Sequence, residues 1–330
     1  MSGTTVEGVQ EVSPARSGSV LSGEARSALV HRQSLHIGSL VFELALVVGL
    51  GLSLMALGVL IWKMIVDAWP VVSGRPAEFL TTGLASNPAE AGVWQGIKGT
   101  LMLAMIVAVT AFPLGVGAAI YLEEYTSRRS RLTRFVETNV RNLAGVPSIV
   151  YGLLGLALFV RSLGDGGTGG LTGGRTVISG GLTLAVLVLP IVIITAQEAI
   201  RAVPSDIREA ALALGATKWE VVRHQVFPSA VPGILTGTVL ALARAAGEAA
   251  PLVVVGAVSG VFFVGADGFW EQITSGRFTA MPMVIFAWAR LPASRGWHDL
   301  AAAAGLVLLV MVLLMNGLAI YLRNRYERRW

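Results

Sequence analysis

The sequence predicts an all-α, polytopic membrane protein with six transmembrane helices. Of its 330 residues, 54% are hydrophobic and only 14% are charged, whereas soluble domains carry about a quarter charged residues. The apolar residues are grouped into blocks near the length of roughly 20 residues that a membrane span needs. In lipid a backbone must satisfy its own hydrogen bonds, so each block should be a helix. The six blocks lie at residues 40–61, 97–121, 143–160, 177–196, 233–257 and 301–322.

The blocks divide the chain into four regions. Residues 1–36 are rich in Ser, Gly and Arg without apolar periodicity, which predicts a disordered cytosolic tail. Residues 37–96 hold the first transmembrane helix and an outer loop. The apolar block of this helix is too long for a cleavable signal peptide and should remain as a span. Residues 97–322 hold the other spans, and 323–330 form a basic cytosolic tail. The apolar stretch 279–289 is too short to span and is expected to be interfacial or re-entrant.

Lys and Arg residues set the expected orientation, with both termini in the cytosol. In that orientation the cytosolic segments hold 16 of the 25 basic residues and the outer segments hold eight. The net charge of +5 is therefore mainly a topology signal, and the six spans argue against nucleic-acid binding.

The sequence lacks the residues needed for disulfide bonds, for a metal site and for a phosphate-binding loop. The chain has no cysteine, and its four histidines are scattered, so it offers no disulfide framework and no ligand spacing for a metal. No phosphate-binding loop of the form G-x-x-x-x-G-K-[ST] is present. We therefore expect neither a cofactor nor ATP hydrolysis by this chain.

A polar segment at residues 206–228 separates two apolar blocks. Asp206 and Glu209 have the spacing of a capping box that would begin a helix. Gly215 is placed to end that helix in the left-handed conformation. Thr217 and Glu220 have capping-box spacing for a second helix, from about residue 218 to 226, which Pro228 and Pro232 are expected to end.

The predicted helix-turn-helix places residues 216–219 at an exposed tip. It could be a surface loop that happens to be helical, or a DNA reader, although two membrane tethers would make entry into a groove awkward. The third interpretation is a docking element for a cytosolic partner, because small apolar residues and Trp219 would fit a groove.

Two charges stand inside the fifth apolar block. Counted from Gly233, Arg244 would lie roughly 16 Å into the span at about 1.5 Å per residue. Glu248 follows at i+4, so the two side chains can pair. One interpretation is a self-neutralising ion pair that fixes the packing of the helix. The other is that Arg244 helps an oxyanion cross the membrane, while Glu248 keeps the positive charge of Arg244 from trapping the anion.

The 206–228 segment resembles the EAA loop of ABC importer permeases. Glu209, Ala210, Ala211, Gly215 and Pro228 match at the family's spacing, whereas Gln225 and Phe227 replace its Ile and Leu. The resemblance implies the type I (MetI-like) permease fold and coupling helices that enter a cleft of an ATP-binding subunit. It implies that the contact is made by the tip residues Ala216, Thr217, Lys218 and Trp219.

Three further segments resemble the phosphate-importer permeases of the PstA type: 143–155 (LAGVPSIVYGLLG), 199–204 (AIRAVP) and 242–252 (LARAAGEAAPL). The resemblance implies a homologous permease partner, two ATP-binding subunits and an extracytoplasmic phosphate-binding protein. It implies a phosphate pathway with Arg244 and Glu248, to which Glu198 and Arg201 are added. A molybdate, sulfate or amino-acid importer, a secondary transporter, and a membrane scaffold without transport remain alternatives.

Overall fold

The computed structural model describes residues 37–127, 130–165, 170–257 and 277–326, and within them every regular element is a helix. Five described helices are long and apolar enough to cross a membrane, and a bent pair makes a sixth if it counts as one span. The prediction of an all-α protein with six spans is confirmed at this level. The predicted disorder of residues 1–36 lies outside the described residues, as does the end of the basic tail from residue 327.

Among the described residues twelve α-helices follow one another, and three of them run on into π-helical turns. Their bounds are α1 Ile37–Gly74, α2 Pro76–Thr81, α3 Trp94–Ile120 with a π-helical turn Tyr121–Tyr125, α4 Arg131–Ala144, α5 Ser148–Gly155 with a π-helical stretch Leu156–Asp165, α6 Val177–Arg201, α7 Ser205–Ala213, α8 Lys218–Val221 with a π-helical turn Val222–Val226, α9 Phe227–Gly247, α10 Ala250–Val255, α11 Met281–Trp288 and α12 Trp297–Tyr326.

The chain divides after Leu60 into two units. In the first unit the large apolar side chains between Leu40 and Leu60 are exposed. A helix that is apolar on every side is suited to lipid. The helix is longer than the predicted block, because it continues into the second unit as far as Gly74.

The second unit is built around α6. Most of its residues are buried, and it packs mainly against α3 and α9. Its buried positions include small residues such as Gly181, Thr183 and Ala196. In lipid there is little hydrophobic gain from joining helices, so close approach over small residues supplies the van der Waals contact that holds such a bundle.

The third predicted span, 143–160, has the wrong boundary. Helix α4 carries the chain through Leu143 to Ala144, and α5 begins only at Ser148. The axes of the two helices differ by 102°. Pro147 is the residue that precedes α5, with ψ at 135°, so an extended backbone at the proline separates two helices that the hydropathy pattern had merged.

The fifth predicted span, 233–257, also differs. One continuous helical run extends from Lys218 to Gly247, and the extended backbone of Glu248 (ψ 117°) separates it from α10. The prediction that Pro228 and Pro232 end the second short helix is wrong. Pro228 follows a π-helical turn and Pro232 lies inside α9, where the looser turn and the membrane setting accommodate prolines.

The short apolar stretch at 279–289 forms α11. Its Met281, Val284 and Trp288 are buried in a cluster shared with α12, and the rings of Trp288 and Trp297 lie 5.8 Å apart. Packing against protein therefore covers much of this helix.

Candidate functional site

The 206–228 segment folds as a helix, a tight turn and a second helix, as predicted. At the second helix Thr217 Oγ1 accepts from the Glu220 N–H (3.3 Å), and Glu220 Oε2 accepts from the Thr217 N–H (2.8 Å). This confirms the second capping box. The first box is wrong: α7 begins at Ser205, with Pro204 at the N-cap. Asp206 instead lies in the first turn, where its charge favours the positive end of the helix dipole.

Gly215 ends α7 in the left-handed conformation, with φ at +86°. Its N–H donates to the Leu212 carbonyl (3.0 Å), and the Ala216 N–H donates to the Ala211 carbonyl (3.2 Å). These two bonds form a Schellman motif, which satisfies carbonyls that the end of a helix leaves free. The predicted role of Gly215 is confirmed, and the motif fixes the angle between α7 and α8.

The tip presents an apolar surface to solvent. The side chain of Leu214 is 89% exposed and that of Trp219 is 58% exposed, with Leu212 also exposed beside them. Of the motif residues, Glu209 and Ala210 are exposed, and so are Thr217, Lys218 and Pro228, whereas Ala211 and Ala216 are half-buried against the bundle. A rigid turn bearing exposed apolar side chains has the properties of a docking surface.

Arg201 lies in an ion-pair cluster at the end of α6. Its Nε donates to Glu123 Oε1 (2.8 Å) and its Nη2 lies 3.3 Å from Glu137 Oε1. Gln197 also donates to Glu123, whose side chain is almost fully buried. Glu123 and Glu137 were not among the predicted site residues, although the neighbouring Glu123 and Glu124, just before the arginines at 128–134, were a signal for ion pairing.

Glu198 projects from the same helix turn toward another surface. It lines a groove of about 600 Å³ between α6, α9 and α12. Arg323 lies on its far wall, where Nη1 donates to Thr236 Oγ1 (3.3 Å), and the Asn316 Oδ1 atom in the wall is buried without a hydrogen bond. The groove thus combines apolar walls with a few charged and polar groups.

Arg244 and Glu248 pair across the end of α9, with Arg244 Nε 3.5 Å from Glu248 Oε1. The Arg244 side chain is 46% exposed. Because the helical run begins at Lys218, the depth counted from Gly233 does not apply, and Arg244 lies in the last turn of this run. It continues the helix face of Gly237 and Leu240, which line the groove.

The segments 143–155 and 242–252 meet in the structure. Helices α5 and α10 pack together, and a Cβ atom added to Gly152 would lie 2.8 Å from Pro251 Cα. This approach requires a residue without a side chain at position 152. Tyr151, next to it, donates its hydroxyl to the Leu143 carbonyl (2.7 Å). The two segments therefore form one structural unit around the Arg244 end of α9.

These helices define the transmembrane permease fold of ABC importers. The chain superposes on a subunit of the methionine ABC transporter MetNI in an inward-facing conformation with a TM-score of 0.54, covering 74% of this chain and 100% of that one. A bacterial alginate ABC transporter gives a TM-score of 0.57 over 87% of this chain and 96% of its own. Both are 16% identical to this chain, so the likeness is one of fold.

The chain belongs to the family of binding-protein-dependent transport system inner membrane components, whose model matches residues 111–330. It is 35% identical to the phosphate transport system permease protein PstA 1 of Mycobacterium tuberculosis (strain H37Rv), over 82% of each chain. It is 34% identical to the corresponding PstA protein of Yersinia pestis, over 84% of this chain and 88% of that one. The predicted resemblance to the importer permeases is confirmed.

Proposed function

We propose that this chain is the permease subunit of an ATP-driven importer that moves inorganic phosphate across the cytoplasmic membrane. The 35% identity to a PstA phosphate permease over 82% of the chain carries the proposal. The contact between Gly152 and Pro251 supports it, because it joins two of the three segments that resemble phosphate-importer permeases. In this role the chain is a transport subunit and a separate subunit hydrolyses ATP.

The proposed complex holds this chain, a homologous permease, two ATP-binding subunits and an extracytoplasmic phosphate-binding protein. Both termini lie in the cytosol, and residues 97–322 form the permease domain between the tails 1–36 and 323–330. The surface around Leu214 and Trp219 enters a cleft of the ATP-binding subunit. Because the turn at Gly215 is rigid, α7 and α8 would move together when the ATP-binding subunit moves.

The proposed phosphate pathway runs along the face of α9 that bears Leu240 and Arg244. Both side chains are exposed in the single chain, so a second permease placed against this face would close a pathway between the two subunits. A guanidinium offers several donors in the planar geometry that suits a phosphate. Glu248 competes with the anion for Arg244, which permits release. Glu198 lines the proposed cytosolic part of the pathway, and Arg201, behind it, holds the helix ends together.

Uptake of labelled phosphate by proteoliposomes tests this function. We expect uptake that requires ATP, the ATP-binding subunits and the phosphate-binding protein. Arg244→Gln should stop uptake and leave assembly of the complex intact, whereas Arg141→Gln should behave as wild type, because the Arg141 side chain is exposed on α4. Uptake of sulfate, molybdate or an amino acid in place of phosphate would refute the cargo. Uptake driven by an ion gradient without ATP would refute the importer class.

A further inference from the structure

Arg208 is bound on three sides by the membrane-spanning part of the chain. It lies in α7 directly before the Glu209–Ala211 motif, and only 22% of its side chain is exposed. Its Nε donates to Glu124 Oε1 (3.1 Å), its Nη2 to the Ile200 carbonyl (2.8 Å) and its Nη1 to the Val203 carbonyl (2.6 Å). The guanidinium therefore points toward the bundle, away from the apolar tip.

The two carbonyls belong to the end of α6. A helix leaves its last four carbonyls without partners within the helix, and these carry the negative end of its dipole. Arg208 supplies donors to Ile200 in the last turn and to Val203 just beyond it. An arginine can serve both carbonyls and a carboxylate at once, because its five N–H groups are fixed in one plane.

The carboxylate belongs to a different span. Glu124 lies in the π-helical turn that ends α3, and its side chain is 10% exposed. Arg208 thus joins the first coupling helix to the cytosolic ends of both α3 and α6. The neighbouring cluster of Arg201, Glu123 and Glu137 ties those two ends to α4. A displacement delivered to Arg208 would therefore reach three helices.

Other attachments of α7 are slight. None of the nine residues of α7, all of which the structure describes, is buried. Ile207 and Ala211 are half-buried against the cluster that contains Val203 and Val221. A helix with so little buried surface can change its orientation relative to the membrane-spanning helices unless directional hydrogen bonds fix it. Arg208 provides three such bonds in a partly desolvated site.

We infer that Arg208 is a positioning residue that transmits the movement of the coupling helix to the ends of α3 and α6. The inference rests on the proposed function, since it assumes that an ATP-binding subunit moves α7. Arg208 touches neither the partner surface nor the pathway. Its loss should leave binding of the partner and ATP hydrolysis in place but disconnect them from transport.

The decisive quantity is phosphate transported per ATP hydrolysed by the assembled complex in proteoliposomes. A charge-assisted hydrogen bond is worth about tenfold or more in an equilibrium, so loss of the three bonds in Arg208→Gln should lower this ratio by at least about tenfold, with ATPase activity within about twofold of wild type. Arg208→Lys keeps the charge but not the planar fork, and Glu124→Gln removes the carboxylate alone. Both should give intermediate ratios, and Arg141→Gln on α4 should give the wild-type ratio.

A distance measurement tests the same inference without any cargo. The chain has no cysteine, so a spin-label pair can be placed by cysteine substitution at Ser205, at the start of α7 and away from the apolar tip, and at Tyr121 at the end of α3, both of which are exposed. The wild-type pair should give one narrow distance distribution, and Arg208→Gln should broaden it. If Arg208→Gln lowers the amount of folded protein, Glu124→Gln provides the same comparison.

Each outcome decides the inference. Wild-type ratios and distances in Arg208→Gln and Glu124→Gln would overturn it. A loss confined to the amount of assembled complex, with a normal ratio in what remains, would also overturn it in favour of a purely structural role. If wild-type complexes carry no phosphate, the proposed function fails, and the spin-label comparison still decides whether Arg208 holds α7 to the spans.

Discussion

The contact between α5 and α10 predicts a specific intolerance at Gly152. In Gly152→Ala the added Cβ would lie 2.8 Å from Pro251 Cα, 3.0 Å from Val254 Cβ and 3.1 Å from the Pro251 carbonyl oxygen. Carbon atoms prefer separations of about 3.5–4.0 Å, so the helices must separate by several tenths of an ångström or more. Neither the backbone of Pro251 nor the branched Cβ of Val254 can rotate away.

Two opposing effects determine how much Gly152→Ala changes the free energy of unfolding. Overpacking in a well-packed core costs about 1–3 kcal/mol. Replacing a glycine by alanine within a helix returns up to about 1 kcal/mol. The net change in the free energy of unfolding should therefore be a loss of about 1–2 kcal/mol, which corresponds to a fall in Tm of several degrees. Gly152→Val should lose more, because its branched side chain adds further contacts.

Thermal denaturation of the purified protein in detergent measures this effect, and Gly117→Ala is the matched control. Gly117 is also a helical glycine, in α3, but an added Cβ there meets no atom within 4 Å. Its Tm should be unchanged or higher. If Gly152→Ala melts at the same temperature as Gly117→Ala, the close approach of α5 and α10 is incorrect. Because Pro251 follows the Arg244–Glu248 pair by three residues in the chain, a shift of α10 would disturb that pair, and phosphate uptake by Gly152→Val should also fall relative to Gly117→Ala.

Two further predictions concern the coupling segment. Thr217→Ala removes the oxygen that caps α8 and should destabilise that helix by about 1 kcal/mol, measured as faster amide hydrogen exchange over residues 218–222, while Thr217→Ser, which retains the hydroxyl, should exchange as wild type does. Equal exchange in the alanine and serine variants would contradict the capping role. Trp219→Ala and Leu214→Asp should each weaken binding of the ATP-binding subunit by tenfold or more, because exposed aromatic and apolar anchors dominate such interfaces. Leu132→Asp, a control at an exposed leucine of α4, should leave the affinity measured by titration unchanged, and a similar loss in all three variants would refute a specific docking surface.

Features set by neighbouring residues were predictable from the sequence. The capping box of Thr217 and Glu220 and the left-handed Gly215 depend on bonds within a few residues, so spacing alone indicated them. The span boundaries near residues 143 and 257 were wrong because hydropathy measures only the preference for lipid, not the continuity of a helix. Pro147 and Pro251 were available signals, since each stands at or near the start of a new helix.

The contacts of Arg208 and Arg201 could not be predicted from local patterns. Arg208 and Glu124 are 84 positions apart, and Arg201 and Glu123 are 78 apart. Nothing in either segment alone states which carboxylate an arginine will meet, because that depends on how the helices pack.

The extended backbone of Glu248 has an electrostatic consequence for Arg244. Ending α9 at Gly247 places the negative end of its helix dipole, the equivalent of about half an elementary charge, near Arg244, although the Ala245 carbonyl still accepts from the Glu248 N–H (3.4 Å). Together with the Glu248 carboxylate, 3.5 Å from Arg244 Nε, this offsets the positive charge of the guanidinium. An arriving anion would therefore bind Arg244 by exchanging places with Glu248. The extended backbone of Glu248 places that competing carboxylate, so it would set how readily the anion can enter.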